Sequence, residues 1–154
     1  MRAIIGLGNA FRGDDAVGLF VAEQLEGLSS AELTVLCHEG EPLDLLELWL
    51  GFDEVTLIDA SRLGIQEGTL MTYDLLAQDF KATAQDASSH AFSLTNALKL
   101  GKTLDRFPAK LWLYTIEGSS FQLGSELSLS VKESAQTLIR ILSQYESQST
   151  KASL

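Results

Sequence analysis

The chain has a single cysteine, Cys37, among its 154 residues. An internal disulfide is therefore excluded, and so is a four-cysteine zinc site. A reducing, cytoplasmic setting is the expectation. Basic residues are also scarce: 11 Lys and Arg stand against 21 Asp and Glu, for a net charge of −10. A surface of that sign repels phosphate, so neither nucleic acid nor an anionic membrane is an expected partner. No apolar run approaches the ~20 residues that span a bilayer. The opening Met1-Arg2-Ala3-Ile4-Ile5-Gly6 holds too short an apolar stretch for a secretion signal. There is no internal repeat and no low-complexity tract. The HExxH metal motif is missing, as is the GxSxG elbow of serine hydrolases.

What is present is an ordinary globular composition, 45% hydrophobic and 21% charged, in a length that suits one domain with a real core. That domain is expected to span residues 1–146, with 147–154 as a polar, flexible tail.

Strands and helices alternate. Ala3 to Leu7 is a short apolar run ending at Gly8 and reads as the first strand. Asp14 or Asp15 opens a helix to about Leu25, with Val17, Phe20, Val21 and Leu25 at helical spacing. Leu33 to Cys37 is a second strand, and Pro42 suits the first turn of the helix that follows. Glu54 to Ile58 is a third strand, apolar enough to be buried on both faces. Gly68 to Leu75 follows closely and reads as an antiparallel edge strand. After a polar loop at 79–89, a helix capped by Ser88 or Ser89 runs to about Leu104. Lys110 to Ile116 is the last core strand. Ser125 or Ser128 caps a final helix ending near Gln144. The pattern implies an α/β fold: a three-layer α/β/α sandwich with a twisted, mostly parallel sheet of about five strands and one antiparallel edge strand.

Ligand sites in such folds gather beyond the carboxyl ends of the strands. Here those ends carry Gly6-Leu7-Gly8-Asn9, His38-Glu39-Gly40-Glu41, Asp59 and Glu117-Gly118. The glycines after the first strand invite a dinucleotide reading, but GxGxxG needs glycine at position 11, where Phe11 stands. Asp14 and Asp15 would also face the phosphates. A tight turn explains Gly6 and Gly8 in any case. Acids at a helix start can serve as caps, yet one suffices and two are present. Asp59 at the end of an apolar strand reads equally as a turn former bonding Ser61 or as a functional carboxylate. His90, one of two histidines, opens a helix, where a surface or capping role competes with ligation. For His38 a packing or hydrogen-bonding role is favoured. Cys37 reads as a small buried thiol with no basic neighbour to activate it.

Together Asp15, Asp59 and His90 form an open set of two carboxylates and an imidazole, a donor set suited to zinc, nickel or manganese. Three protein ligands leave positions free for water or substrate.

At these residues the chain resembles the maturation proteases of [NiFe] hydrogenases. Gly6-Leu7-Gly8-Asn9, Asp14-Asp15 and Val17-Gly18 are similar to that family's N-terminal signature. Asp59-Ala60, Ser89-His90, Tyr114-Thr115-Ile116-Glu117-Gly118 and Glu126-Leu127-Ser128 match its later positions in order, so the resemblance covers about residues 1–142. Ala16 departs from the usual glycine, and Glu39-Gly40-Glu41 replaces the usual Gly-Gly-Thr-like turn. The resemblance implies an endopeptidase specific for one precursor, a hydrogenase large subunit, trimmed at its C-terminus after nickel insertion. It puts the nickel contacts on Asp15, Asp59 and His90, with Asp15 and Asp59 as the catalytic carboxylates, aspartic-type or metal-assisted. The metal comes with the substrate, no permanent cofactor is expected, and the enzyme is expected to work as a monomer. The competing expectations are a metal-dependent hydrolase holding its own ion, a nucleotide-binding module, and a binder of the immature subunit that does not cut. Phe11, Trp49 and Phe121 are candidates for a docking surface or for the core.

Overall fold

A computed structural model of the chain describes residues 1–39, 42–78 and 89–152, with the side chains of 42 and 89–93 outside that description. Five strands form one sheet in the order β2-β1-β3-β5-β4. Strands β1 (Arg2–Leu7), β2 (Leu33–His38), β3 (Glu54–Ser61) and β5 (Lys110–Glu117) are parallel, and β4 (Leu70–Asp74) runs antiparallel along β5. The expected α/β sandwich with its antiparallel edge strand is therefore what forms. The polar loop expected at 79–89 lies, up to residue 88, outside the described residues.

The two faces are covered by different helices. Alternation along β1 sends Ala3, Ile5 and Leu7 to one side and Ile4 to the other. On the first side α2 (Pro42–Trp49) and α3 (Ser89–Leu104) bring Leu45, Leu46, Trp49, Leu94 and Ala97 onto Val55, Leu57, Leu111 and Leu113. On the second, α1 (Val17–Leu25) and α4 (Leu129–Ala152) bring Val17, Val21, Val131 and Leu138 onto Ile58 and Ile116. Trp49 is fully buried, its ring 6.0 Å from that of Phe107, so it is core and not part of a docking surface.

Three expectations are corrected. The first helix does not begin at the acidic pair: Gly13–Ala16 form a 3-10 turn, and α1 starts at Val17. The last helix does not stop near Gln144, because α4 continues to Ala152 and residues 147–152 extend it. Val131, Ala135, Leu138 and Leu142 keep one side of it buried, and Glu146, paired with Arg2 at 2.7 Å, carries that side beyond Gln144. Cys37 is exposed. Its strand, β2, is one of the two sheet edges, so membership of a strand does not bury it.

Helix α1 comes very close to the strands beneath it. A Cβ on Gly18 would lie 2.2 Å from the carbonyl oxygen of Leu7 and 2.3 Å from that of Ile58. A Cβ on Gly6 would lie 2.1 Å from the Gly18 carbonyl oxygen. Main chain stands on main chain here, so neither side can yield by a rotamer change. Gly18→Ala is expected to cost about 1–3 kcal/mol, lowering the melting temperature by roughly 5 °C. Gly27→Ala, with nothing within 4 Å of its added Cβ, is the matched control. Thermal denaturation followed by circular dichroism checks both; equal midpoints would show that α1 can lift off the sheet at no cost.

Candidate active site

The parallel strands bring their carboxyl ends to one edge of the sheet, and four acids there are almost completely buried. Asp14 is 0% exposed, Asp15 3%, Asp59 3% and Glu117 2%. Burial of a carboxylate demands partners.

Asp14 is committed to the chain itself. Its carboxylate accepts the backbone N–H groups of Ser119 (2.8 Å), Ser120 (2.9 Å) and Ser128 (2.7 Å), and the Ser128 hydroxyl (2.7 Å). It caps neither the 3-10 turn nor α1, neither of which has a side-chain cap. The expected helix-capping role is thus replaced by a longer-range one: Asp14 holds the segment between β5 and α4. Ser128 occupies the expected position before α4, but its hydroxyl donates to Asp14. Gly13 and Gly118 allow this closeness, since a Cβ on Gly13 would lie 2.5 Å from the Ser120 carbonyl oxygen and one on Gly118 would lie 3.1 Å from the Asp14 Cβ.

Glu117 is committed in the same way. Its carboxylate accepts the Ser61 hydroxyl (2.9 Å) and the N–H groups of Leu63 (2.9 Å), Gly64 (2.9 Å) and Ile65 (3.2 Å). Successive amides turned toward one point make an anion-binding concavity, and here the anion is the chain's own. The sequence marked Glu117 as a strand-end acid without giving it a role; the one local hint was Gly64, in the turn that must wrap it.

Asp15 and Asp59 are held through the turn after β1 and through β3. The glycine-rich turn after β1 serves Asp15: a Cβ on Gly8 would lie 2.1 Å from the Asp15 carbonyl oxygen, and the Asn9 N–H donates to that oxygen at 3.1 Å. Asn9 also closes its own turn by accepting the Phe11 N–H at 2.9 Å. The Gly6-Leu7-Gly8-Asn9 segment is therefore used within the chain. The 3-10 turn bearing Asp15 packs against β3, the strand of Asp59. Asp59 is not beyond the strand but within it, opposite Thr115 of β5, and Ala60 and Ser61 continue the pairing. By alternation from Val55 and Leu57 it belongs to the face covered by α2 and α3. Its Oδ1 accepts the Ala60 N–H at 2.8 Å.

Residue 90 belongs to α3, a helix of the same face. The end of α3 leads directly to the start of β5, so the helix runs back along the sheet. Its 16 residues rise about 24 Å, close to the length of the eight-residue β5, about 26 Å. Residue 90, one turn before the core residue Leu94, is thereby carried toward the carboxyl edge. The His90 side chain lies outside the described residues. Among the described residues no three His, Cys, Asp or Glu side chains gather to hold a metal.

Around this edge, Glu39 accepts the Ala10 N–H at 3.0 Å, tying the turn after β1 to the end of β2. Gly40 and Glu41 lie outside the described residues. His38 is half-buried at the end of β2, opposite Leu7. The Cys37 thiol is pushed up from its ordinary value by partial burial first and then by Glu23, Glu26 and Glu39, which keeps it protonated and weakly nucleophilic. Phe11 is 72% exposed, and its carbonyl accepts the Gly124 N–H at 2.8 Å. Phe121 is half-buried, with the Arg62 guanidinium 4.9 Å from its ring centre. Among the described residues no helix is long and apolar enough to cross a membrane.

No protein-family model matches the sequence, and no curated protein sequence matches it. Solved structures do. The [NiFe] hydrogenase maturation protease HycI from Thermococcus kodakarensis KOD1 superposes with a TM-score of 0.73 at 27% identity, over 93% of this chain and 90% of that one. The hydrogenase maturating endopeptidase HybD from E. coli gives 0.75 at 20% identity, over 96% and 93%. HybD from Thermococcus kodakarensis, a [NiFe] hydrogenase maturation protease, gives 0.69 at 24% identity, over 94% and 98%. The resemblance read from the strand-end residues thus extends to the fold: along nearly its whole length, the chain is similar to hydrogenase maturation proteases.

Proposed function

We propose that the chain is an endopeptidase that removes the C-terminal extension of a [NiFe]-hydrogenase large-subunit precursor once nickel has been inserted. One observation carries the reading: a chain similar in fold to HycI from Thermococcus kodakarensis, at 27% identity, buries Asp15 and Asp59 at one sheet edge.

Nickel in this reading belongs to the substrate, held by the precursor's own cysteines. Asp15, Asp59 and His90 contact it and so test whether insertion has occurred. Carboxylates and imidazole suit that ion. A precursor without nickel lacks the group these residues recognise and is left uncut. At the peptide bond, Asp15 or Asp59 serves as general base toward water, a role worth about 10²–10⁴ in rate. The substrate's nickel polarising the scissile carbonyl is the other route, and it uses the same three residues as metal contacts. One copy of the chain supplies both carboxylates, which supports action as a monomer. The single cysteine supports a cytoplasmic workplace.

The test is the intact mass of nickel-loaded and nickel-free precursor, each incubated with the protein. Loss of a discrete C-terminal peptide from the loaded form alone is the expected result. Equal cleavage of both forms would remove the nickel checkpoint. No cleavage of the loaded form, despite its capture in a pull-down, would make the chain a binder and not a protease.

A further inference from the structure

The chain just beyond Asp59 is held by an acid distant in sequence, Glu117. Ser61, two residues beyond Asp59, pairs with Glu117 across the β3–β5 ladder. The Gly118 N–H donates to the Ser61 carbonyl at 2.9 Å, and the Ser61 hydroxyl donates to the Glu117 carboxylate at 2.9 Å. Leu63, Gly64 and Ile65 then turn their amides onto the same carboxylate. The chain leaving β3 is thus held on the main-chain side by the ladder and on the far side by a buried charge. Asp59 sits just before this clamp, with its Oδ1 on the Ala60 N–H. A rotation of the peptide planes at 60–65 would swing that N–H and the Asp59 carboxylate with it.

Resting on the endopeptidase reading, we propose that Glu117 is a positioning residue for Asp59: its charge, spent on the amides of Leu63–Ile65, sets the direction in which the Asp59 carboxylate is presented. Glu117 touches neither water nor substrate in this role. A neutral side chain of the same size does not serve. The amide of glutamine offers one acceptor oxygen where several donors converge, and its own NH₂ faces N–H groups. The exit of β3 must then move, and displacement of a reacting group by about 1 Å is enough to lose about 100-fold in rate.

The experiment compares wild type with Glu117→Gln, and with Ser61→Ala as a milder variant that removes one donor and keeps the charge. Two readouts are taken: steady-state cleavage of nickel-loaded precursor, and the side-chain carboxyl ¹³C resonance of Asp59 in the free protein. Expected for Glu117→Gln are a kcat about 10- to 100-fold lower with KM within about twofold, and a displaced Asp59 resonance. Ser61→Ala moves the resonance in the same direction by less. An Asp59 resonance unmoved in both variants would overturn the proposal, leaving Glu117 as the holder of its own loop. The resonance decides even if wild type cuts no precursor, a result that would sink the endopeptidase reading instead. Should Glu117→Gln not fold, Ser61→Ala alone carries the decision.

Discussion

Asp14→Ala should lower the melting temperature by about 10 °C or more, the largest stability loss of any single replacement at the carboxyl edge. The substitution empties a site that is 0% exposed and leaves three backbone N–H groups and one hydroxyl without their acceptor. Bonds to a charged group contribute about 1.5–3 kcal/mol each, and an abandoned buried donor costs about 1–3 kcal/mol. The four share one carboxylate and relax together, so the total is nearer about 4 kcal/mol than their sum. Asp14→Asn keeps the volume but offers one acceptor oxygen to those donors, and an intermediate loss is expected. Calorimetry on the two variants and on wild type checks the order. A midpoint for Asp14→Ala within about 2 °C of wild type would mean that the segment from Ser119 to Ser128 does not depend on it.

Asp59→Asn and Asp15→Asn are expected to do the reverse: to leave the melting temperature nearly in place and to reduce precursor cleavage by at least about 100-fold. The volume and shape of the side chain stay the same while the charge that meets nickel or takes the water's proton is removed. His90→Ala is expected to follow them in activity. The measurement is the rate of appearance of trimmed precursor by mass spectrometry, alongside a melting curve for each variant. The contrast between adjacent residues is the sharp part. Asp14 and Asp15 carry the same functional group one position apart, yet one should register mainly in stability and the other mainly in rate. Wild-type cleavage by Asp59→Asn would take that carboxylate out of the chemistry.

The layer order, the parallel strands and the antiparallel edge were all legible in the sequence, because each rests on local periodicity. Strand β3 reads as a continuous apolar run, and Pro42 marks the start of α2 as expected. What the sequence did not disclose was long-range partnership. Asp14 looked like a helix cap because its local surroundings are those of one; its acceptor role is set by residues 105 to 114 positions away. Cys37 looked buried because strands of this fold usually are, and only the strand order puts β2 at the edge. Residues 147–152 looked like a tail because they are polar, yet a preceding amphipathic helix propagates through them once its apolar side is docked. Trp49 and Phe11 are alike as exposed-aromatic candidates in sequence; one is sealed in the core and the other stands 72% open.

The reach of Asp14 has a bearing on when the protein becomes able to act. Asp14 lies in the first tenth of the chain and its partners lie beyond β5, and loops that long close late and at an entropic cost. While the chain is being made, the turn bearing Asp15 can form against β1 and β3, but its anchor in the segment from Ser119 to Ser128 does not yet exist. On the proposed reading, a chain built this way has no complete site through most of its own synthesis. The turn that bears Asp14 and Asp15 gains its anchor only when the segment beyond β5 has emerged.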